Sequence, residues 1–163
     1  MDLSELQVQA ILMRWTLDSL NHIAIAPNIT VTYWWECDAL SVTRALFTHE
    51  FEIKRTTTDY LADFKNKKSK HHTLQTRGAD WMGNFPRIPN YFWYVVTFPT
   101  PIEIPEYAGH IQITHPTLAG VKLIKSAPRL HNLKLPQKKL LDIYRIATYR
   151  MKRLYAEKYL NGS

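Results

Sequence analysis

The chain has 163 residues, enough for one domain with a hydrophobic core and short for two. Hydrophobic residues make up 45% of the chain, so the composition is that of a globular protein and excludes a disordered one. Lysine and arginine outnumber aspartate and glutamate by 21 to 14. This surplus favours a polyanionic partner, with nucleic acid ahead of an acidic membrane surface. A basic surface that serves only solubility is the alternative.

Cys37 is the single cysteine, which excludes an intramolecular disulfide and a thiolate zinc site. We expect it to be a small buried hydrophobe. No apolar run approaches the roughly 20 residues of a membrane span, and the N-terminus lacks the pattern of a signal peptide. We therefore predict a cytoplasmic protein without a membrane partner.

The first fifty residues predict one helix and two strands. Apolar residues recur at helical spacing from Ser4 to about Leu20, with Ser4 as the N-cap. Residues 21–28, which contain Pro27, predict a loop. Residues 29–40 and 44–54 are rich in β-branched and aromatic side chains, so they predict two strands joined by a short turn.

The remainder of the chain predicts a second helix, a buried strand, a hairpin and a long helix. Residues 56–59 begin the second helix, which runs into a basic stretch, and residues 73–90 form a long irregular loop. The continuous apolar run at 91–98 predicts a strand buried on both faces. Residues 109–114 and 121–125 predict a hairpin at the sheet edge. The last helix covers about 136–160, with an inner face that comprises Leu140, Tyr144, Ala147, Met151 and Leu154.

The second predicted strand carries the pattern that points to function. Side chains alternate in a strand, so Glu50, Glu52 and Lys54 share one face. The same alternation places Glu36 and Asp38 together on the preceding strand. Carboxylates are costly to bury unless a cation neutralises them, and Mg²⁺ prefers oxygen ligands. The pattern therefore predicts a site for Mg²⁺ or Mn²⁺.

Asp38 on one strand, followed on the next by Glu52-Ile53-Lys54, resembles the motif of the PD-(D/E)xK nuclease superfamily. The resemblance extends to small MmcB-like bacterial and phage DNA-repair nucleases through Asp63-Phe64-Lys65 and Lys70-His71. Cys37 departs from the nominal proline of the motif. The implied fold is α/β, with a restriction-endonuclease-like core. That core is a central mixed β-sheet flanked by helices in the order αβββαβ. A C-terminal hairpin and a long C-terminal helix complete a single domain over residues 1–163.

The resemblance implies a metal-dependent nuclease that hydrolyses DNA phosphodiester bonds in a bacterial cell, with a phage-encoded origin left open. Asp38 and Glu52 are expected to bind Mg²⁺ or Mn²⁺, with the Ile53 carbonyl as a further oxygen ligand. Lys54 is expected to orient the attacking water and to stabilise the transition state. Three more carboxylates are auxiliary candidates: Glu36, Glu50 and Glu5. For Glu5, a surface charge that compensates the helix dipole is the alternative role.

The basic stretch after the acidic strand is a candidate DNA-contacting segment. Its candidate residues are Lys65, Lys67, Lys68, Lys70 and His71. A solvated run of charge explains the same residues without a ligand. Two functional alternatives also stay open. One is a catalytically silent nucleic-acid-binding or interaction module, and the other is a dimeric Holliday-junction-resolvase-like enzyme. A homodimer is thus a second partner prediction besides DNA.

Overall fold

A computed structural model shows an α/β protein built on one six-stranded mixed sheet, which confirms the expected class. The structure describes residues 3–30, 35–78, 87–99 and 101–159. The helices are α1 Glu5–Arg14, α2 Thr57–Asn66, α3 Lys68–Gln75 and α4 Gln137–Tyr159. The strands are β1 Ala24–Ile29, β2 Cys37–Val42, β3 Thr48–Lys54, β4 Tyr91–Val96, β5 Ala108–Ile113 and β6 Val121–Lys125. A π-helical turn, Trp15–Ser19, extends α1, and a 3-10 turn, Leu118–Gly120, precedes β6.

The strands lie in the sheet in their order along the chain. β1, β2 and β3 pair antiparallel, β3, β4 and β5 pair parallel, and β5 pairs antiparallel with β6. The edge hairpin expected near the C-terminus is therefore confirmed. The crossover between parallel β3 and β4 carries α2 and α3, because parallel neighbours need a long connection.

The single strand predicted over residues 29–40 is wrong. β1 ends at Ile29 and β2 begins at Cys37, and residues 31–34 of the predicted strand lie outside the described residues. The predicted loop at 21–28 instead contains β1, including Pro27. Proline lacks an N–H, but β1 is an edge strand, and an edge strand tolerates a residue that cannot donate to a neighbour.

Two further boundaries differ from the prediction. β3 begins at Thr48 rather than at residue 44, because residues 43–47 form a turn in which Leu46 has φ of 66°. The second helix is divided at Lys67, where ψ is 38°, and α3 then continues to Gln75 inside the predicted loop. Residues 79–86 of that loop lie outside the described residues.

Helices cover both faces of the sheet. α1 packs its buried residues, among them Val8 and Leu12, against Phe51 and Ile53 of β3. On the other face, α4 covers β1 and β2, while α2 and α3 lie against β4. The expected N-cap at Ser4 is confirmed, because its hydroxyl accepts the Gln7 N–H. None of the described helices is long and apolar enough to cross a membrane.

The inner face predicted for α4 is wrong in part. Ile143 is its fully buried residue, and Leu140 and Ala147 pack beside it as expected. Met151 and Leu154 are instead more than half exposed. The last turns of α4 therefore bury little of their apolar surface.

We predict that Phe51→Ala lowers the free energy of unfolding by about 3–5 kcal/mol, because it leaves a cavity between α1 and the sheet. Urea unfolding followed by circular dichroism measures the change. Leu61→Ala is the control, since Leu61 is 62% exposed, and we expect it to change stability by less than about 0.5 kcal/mol. Equal losses in the two variants would contradict the assignment of Phe51 to the core.

Candidate active site

β3 presents charged residues on one face and apolar residues on the other, as its alternation predicts. Glu50, Glu52 and Lys54 are 0%, 1% and 4% exposed. Their neighbours Phe51 and Ile53 pack against α1 on the opposite face. A strand that buries three ionisable side chains must supply each with a partner, because an unpaired buried charge is strongly destabilising.

These partners come mainly from α2 and α3. Together they form a cluster of carboxylates and ammonium groups, which we call the charge cluster. Its carboxylates are Asp38, Glu50, Glu52 and Asp63, and its ammonium groups are Lys54, Lys67 and Lys70.

Glu52 is the centre of the charge cluster. Its Oε1 accepts from Lys54 Nζ at 2.9 Å and from Lys67 Nζ at 2.5 Å. Its Oε2 accepts from Lys70 Nζ at 2.6 Å. Burial by itself would raise the pKa of Glu52, but the positive charge of Lys70, with that of Lys54 and Lys67, lowers it. Glu52 is therefore an ionised carboxylate with both oxygens engaged.

Lys70 lies between two buried carboxylates. Its Nζ is 2.7 Å from Glu50 Oε1 and 2.6 Å from Glu52 Oε2. The ring centroids of Trp35 and Phe92 lie 5.5 and 4.9 Å from the same nitrogen, within the range of cation–π contacts. The Trp35 indole N–H also donates to Glu50 Oε1 at 2.9 Å. The surroundings of Lys70 thus hold it as a buried cation.

Asp63 of α2 holds Lys54 from the side opposite Glu52. Its Oδ1 accepts from Lys54 Nζ at 2.9 Å and lies 3.1 Å from Lys67 Nζ. Its Oδ2 accepts from the Tyr94 hydroxyl at 3.1 Å. Although burial opposes ionisation, His71 and Lys54 hold the pKa of Asp63 well below its usual range. Asp63 and Lys67 are four residues apart, as in a helix-surface ion pair, but their contact is part of the buried cluster.

Asp38 occupies the point where β2 separates from β3. The last paired residues of the two strands are Ala39 and Phe51. Beyond them, Asp38 Oδ2 accepts the Ile53 N–H at 2.7 Å, in the place of a backbone carbonyl. Because N–H and C=O of one strand residue point towards the same neighbour, the Ile53 carbonyl also points into this opening.

Asp38 differs from the other carboxylates because no ammonium group forms an ion pair with it among the described residues. Burial, together with repulsion from Glu52, raises the pKa of Asp38 to about 7. The Ile53 N–H and the charges of Lys67 and Lys54 oppose this rise without cancelling it. Each of the other three carboxylates of the cluster directly contacts an ammonium group, so Asp38 is the one whose charge has no such compensation among the described residues.

The auxiliary candidates lie in three different environments. Glu50 is buried in the charge cluster, and burial raises its pKa despite the contact with Lys70. Glu36 is exposed. Glu5 is also exposed and accepts from the Gln9 amide at 3.2 Å, and Gln9 Nε2 lies 3.1 Å from the Asp38 carbonyl oxygen. Gln9 therefore links Glu5 to the strand that carries Asp38.

The structure separates the basic stretch into two groups. Lys65 and Lys68 are exposed and accessible to a phosphate backbone. Lys70 and His71 are buried, with Lys70 in the charge cluster and His71 Nδ1 2.8 Å from the Tyr107 hydroxyl oxygen. The Lys67 side chain is 39% exposed although its amine contacts Glu52, so it connects the cluster with solvent.

Sequence reasoning missed two residues of this site. Gln9 is a polar residue on the buried face of α1, and its position among apolar residues was the available signal. Asp63 was named in the resemblance, within Asp63-Phe64-Lys65, but no role at the site was predicted for it. Its contact with Lys54 depends on how α2 packs against β3, which residue spacing does not reveal.

The oxygen atoms near Asp38 are of the types that bind a hard divalent cation. Carboxylates of Asp38 and Glu52 and the Ile53 carbonyl are the donor types that Mg²⁺ and Mn²⁺ prefer. Glu52 Oε1 would have to release Lys67, the most exposed of its three ammonium partners. The described residues contain no group of three or more histidine, cysteine, aspartate or glutamate side chains arranged for a metal. The expected donor set has only two such side chains.

Comparisons with known proteins identify a shared fold. Neither the family models nor the curated proteins include a match to this chain. Among solved structures, the chain is similar to the SPO1766 protein of unknown function from Silicibacter pomeroyi. The two are 16% identical, with a TM-score of 0.62 over 100% of this chain and 97% of that chain. At this identity the similarity establishes the fold alone.

We predict that Lys70→Met destabilises the protein by about 3–5 kcal/mol, because it leaves two buried carboxylates without their common cation. The loss should shrink below about pH 5, where protonation removes the uncompensated charge. Urea unfolding at several pH values measures both effects. Lys65→Met is the control, since Lys65 is exposed, and a similar loss there would contradict a specific role for Lys70.

We predict that Asp38→Asn raises stability at pH 8 by about 1–3 kcal/mol, with a gain that disappears towards pH 4. A carboxyl whose pKa rises to about 7 on folding binds more protons in the folded state, so wild-type stability falls as pH rises from about 4 to 7. The asparagine keeps an oxygen for the Ile53 N–H. Unfolding free energies of both proteins across this range test the prediction, and a gain independent of pH would contradict it.

Proposed function

We propose that the chain is a metal-dependent nuclease that hydrolyses DNA phosphodiester bonds, with Asp38 and Glu52 as ligands of Mg²⁺ or Mn²⁺. The supporting observation is the uncompensated carboxylate of Asp38, held by the Ile53 N–H beside Glu52 where β2 and β3 separate. Lys54 lies at the same end of β3. These are the residues of the PD-(D/E)xK motif, and they come from two strands with a turn between them.

The fold supports this proposal at the level of element order. A helix is followed by strands that carry Asp38 and Glu52, then by helices, and then by the buried strand β4. That order resembles the restriction-endonuclease-like core. The antiparallel pairing of β2 with β3 also places the start of β2 beside the end of β3, which a two-strand metal site requires.

Each residue has a distinct task in the proposed reaction. A bound Mg²⁺ or Mn²⁺ would polarise the scissile phosphate and make a water molecule more acidic. Lys54 stays protonated, because its contacts with Glu52 and Asp63 raise its pKa despite burial. It can therefore donate a hydrogen bond to the attacking water or to a phosphate oxygen on which negative charge develops. Asp63 is a positioning residue for Lys54.

In this proposal, the basic surface of the protein attracts the DNA substrate. A net charge of +7 favours association with DNA at low salt. Lys65 and Lys68 are exposed near the entrance that Lys67 occupies, so they are the residues proposed to contact phosphates. Lys70 and His71 are assigned to holding Glu50, Glu52 and Asp63 instead of to direct DNA contact.

One observation favours the alternative of a silent nucleic-acid-binding module. Both oxygens of Glu52 already accept from lysines, so the cluster is nearly satisfied without a metal. A metal therefore competes with Lys67 for Glu52, and its binding should strengthen as Asp38 loses its proton. A homodimer, including a junction-resolving one, stays a prediction.

We predict that the protein cleaves labelled DNA with Mg²⁺ or Mn²⁺ and not with a chelator, and that Asp38→Asn lowers the rate at least about 100-fold. The substrates are supercoiled, linear, single-stranded and branched DNA. Asp38→Asn is the preferred variant because it should fold at least as well as the wild type. Glu52→Gln is the second variant, used together with an unfolding curve.

Asp18→Asn is the matched control. Asp18 is an exposed carboxylate in a surface pair with Arg14, and we expect its loss to leave cleavage unchanged. Metal binding is followed separately as a rise in melting temperature that is absent in Asp38→Asn. Salt-sensitive DNA binding without cleavage of any substrate would reject the nuclease and favour the silent module.

A further inference from the structure

A cavity, called the second cavity to distinguish it from the proposed metal site, lies on the other face of the sheet from the charge cluster. Its volume is about 410 Å³, within the range of roughly 300–1,000 Å³ for small-molecule sites. It is found where β3 and β4 begin, whereas Asp38 and Lys54 lie where β3 ends. Its principal walls are Trp15, His22, His49, Tyr91, Trp93 and Leu123.

Aromatic rings dominate this cavity. His49 stacks on Tyr91 with ring centroids 4.4 Å apart and planes 26° apart, and its plane is within 9° of that of Trp93. His22 packs against His49 with centroids 4.7 Å apart. Lysine, arginine, aspartate and glutamate are absent from the described lining residues. A wall of this kind favours a planar, uncharged ring.

The cavity also contains a histidine, His49, whose contacts show which ring nitrogen carries the proton. The Trp93 indole N–H can only donate, and it donates to His49 Nδ1 at 3.0 Å. Neutral His49 must therefore carry its proton on Nε2. Among the described residues, no acceptor is found for the Nε2–H of His49. His22 differs because the partner of its Nδ1, the Ser41 hydroxyl 2.7 Å away, can either donate or accept, so this contact does not determine the His22 tautomer.

Both imidazoles are neutral at physiological pH. Burial lowers the pKa of His22 to about 4. Burial, and then the neighbouring His22, lowers the pKa of His49 to about 3. The Nε2–H of His49 therefore acts as an uncharged donor, which selects a ligand with a ring nitrogen or carbonyl acceptor and has no preference for an anion.

We propose that this cavity binds a planar heteroaromatic ring that carries a hydrogen-bond acceptor, with a nucleobase as the representative ligand. The ring stacks beside Tyr91 and Trp93, and its acceptor takes the free N–H of His49. Leu20 and Leu123, 40% and 54% exposed, lie at the mouth of the cavity. The site is independent of the proposed cleavage chemistry, because it shares no residue with the charge cluster.

The experiment titrates the wild-type protein with adenosine, cytidine and thymidine, and then with a short single-stranded oligonucleotide. Tryptophan fluorescence and the indole N–H signal of Trp93 in nuclear magnetic resonance spectra report binding. We expect saturable binding of at least one nucleoside with a dissociation constant below about 1 mM. If free nucleoside displaces the bound oligonucleotide, the natural ligand is assigned to a nucleic-acid strand. Nucleoside binding without such displacement assigns it to the free molecule.

Two variants test the assigned contacts, and both are checked for folding by circular dichroism. His49→Phe keeps a flat ring and removes the donor, so affinity should fall at least about tenfold. Leu123→Glu places a charge at the mouth and should weaken binding without disturbing the core, since Leu123 is exposed. Leu141→Glu on α4 is the matched control and should bind normally. The absence of saturable binding, or binding that neither cavity variant weakens, would overturn the proposal.

Discussion

The burial of negative charge on β3 is the constraint on which the rest of the structure depends. Glu50 and Glu52 are almost inaccessible to solvent, and an ionised carboxylate in such a place is tolerated only with close positive partners. Lys54 of the same strand supplies one partner, and Lys67 and Lys70 supply the others. The crossover between β3 and β4 therefore has two roles. It connects two parallel strands, and its lysines neutralise the buried carboxylates of β3.

This requirement accounts for the division of the second helix. The break at Lys67 separates α2, which brings Asp63 to Lys54, from α3, which brings Lys70 between Glu50 and Glu52. Aromatic rings of β4 and its neighbours close the cluster and exclude water. Asp38 is the exception in the cluster, since it accepts a backbone N–H but pairs with no ammonium group in the part of the chain that the structure describes. The proposed metal ligand and a source of instability thus coincide in one carboxylate, as our proposal expects if binding of a cation completes the charge balance.

The sequence predicted much of the fold, and the errors have specific causes. The alternation of Glu50, Phe51, Glu52 and Ile53 determined the two faces of β3, and the apolar run of β4 determined its burial. The position of β1 was missed because Pro27 indicates a loop, although an edge strand accommodates it. The outward position of Met151 was missed because helical spacing identifies an apolar stripe without showing how far the sheet beneath it extends.

For the candidate site as well, some features follow from the sequence and others only from the tertiary structure. The sequence by itself showed that Asp38, Glu52 and Lys54 resemble a known motif and that a basic stretch follows, since both are properties of residue order. Only the tertiary structure decided that Lys70 and His71 face inwards, that Asp63 contacts Lys54, and that Asp38, unlike the other carboxylates of the charge cluster, pairs with no ammonium group among the described residues. It also brought Trp93 against His49, which defines the free N–H of the second cavity. Ion pairs and tautomers depend on which elements meet in space, and local periodicity carries no information about distances between residues remote in the chain.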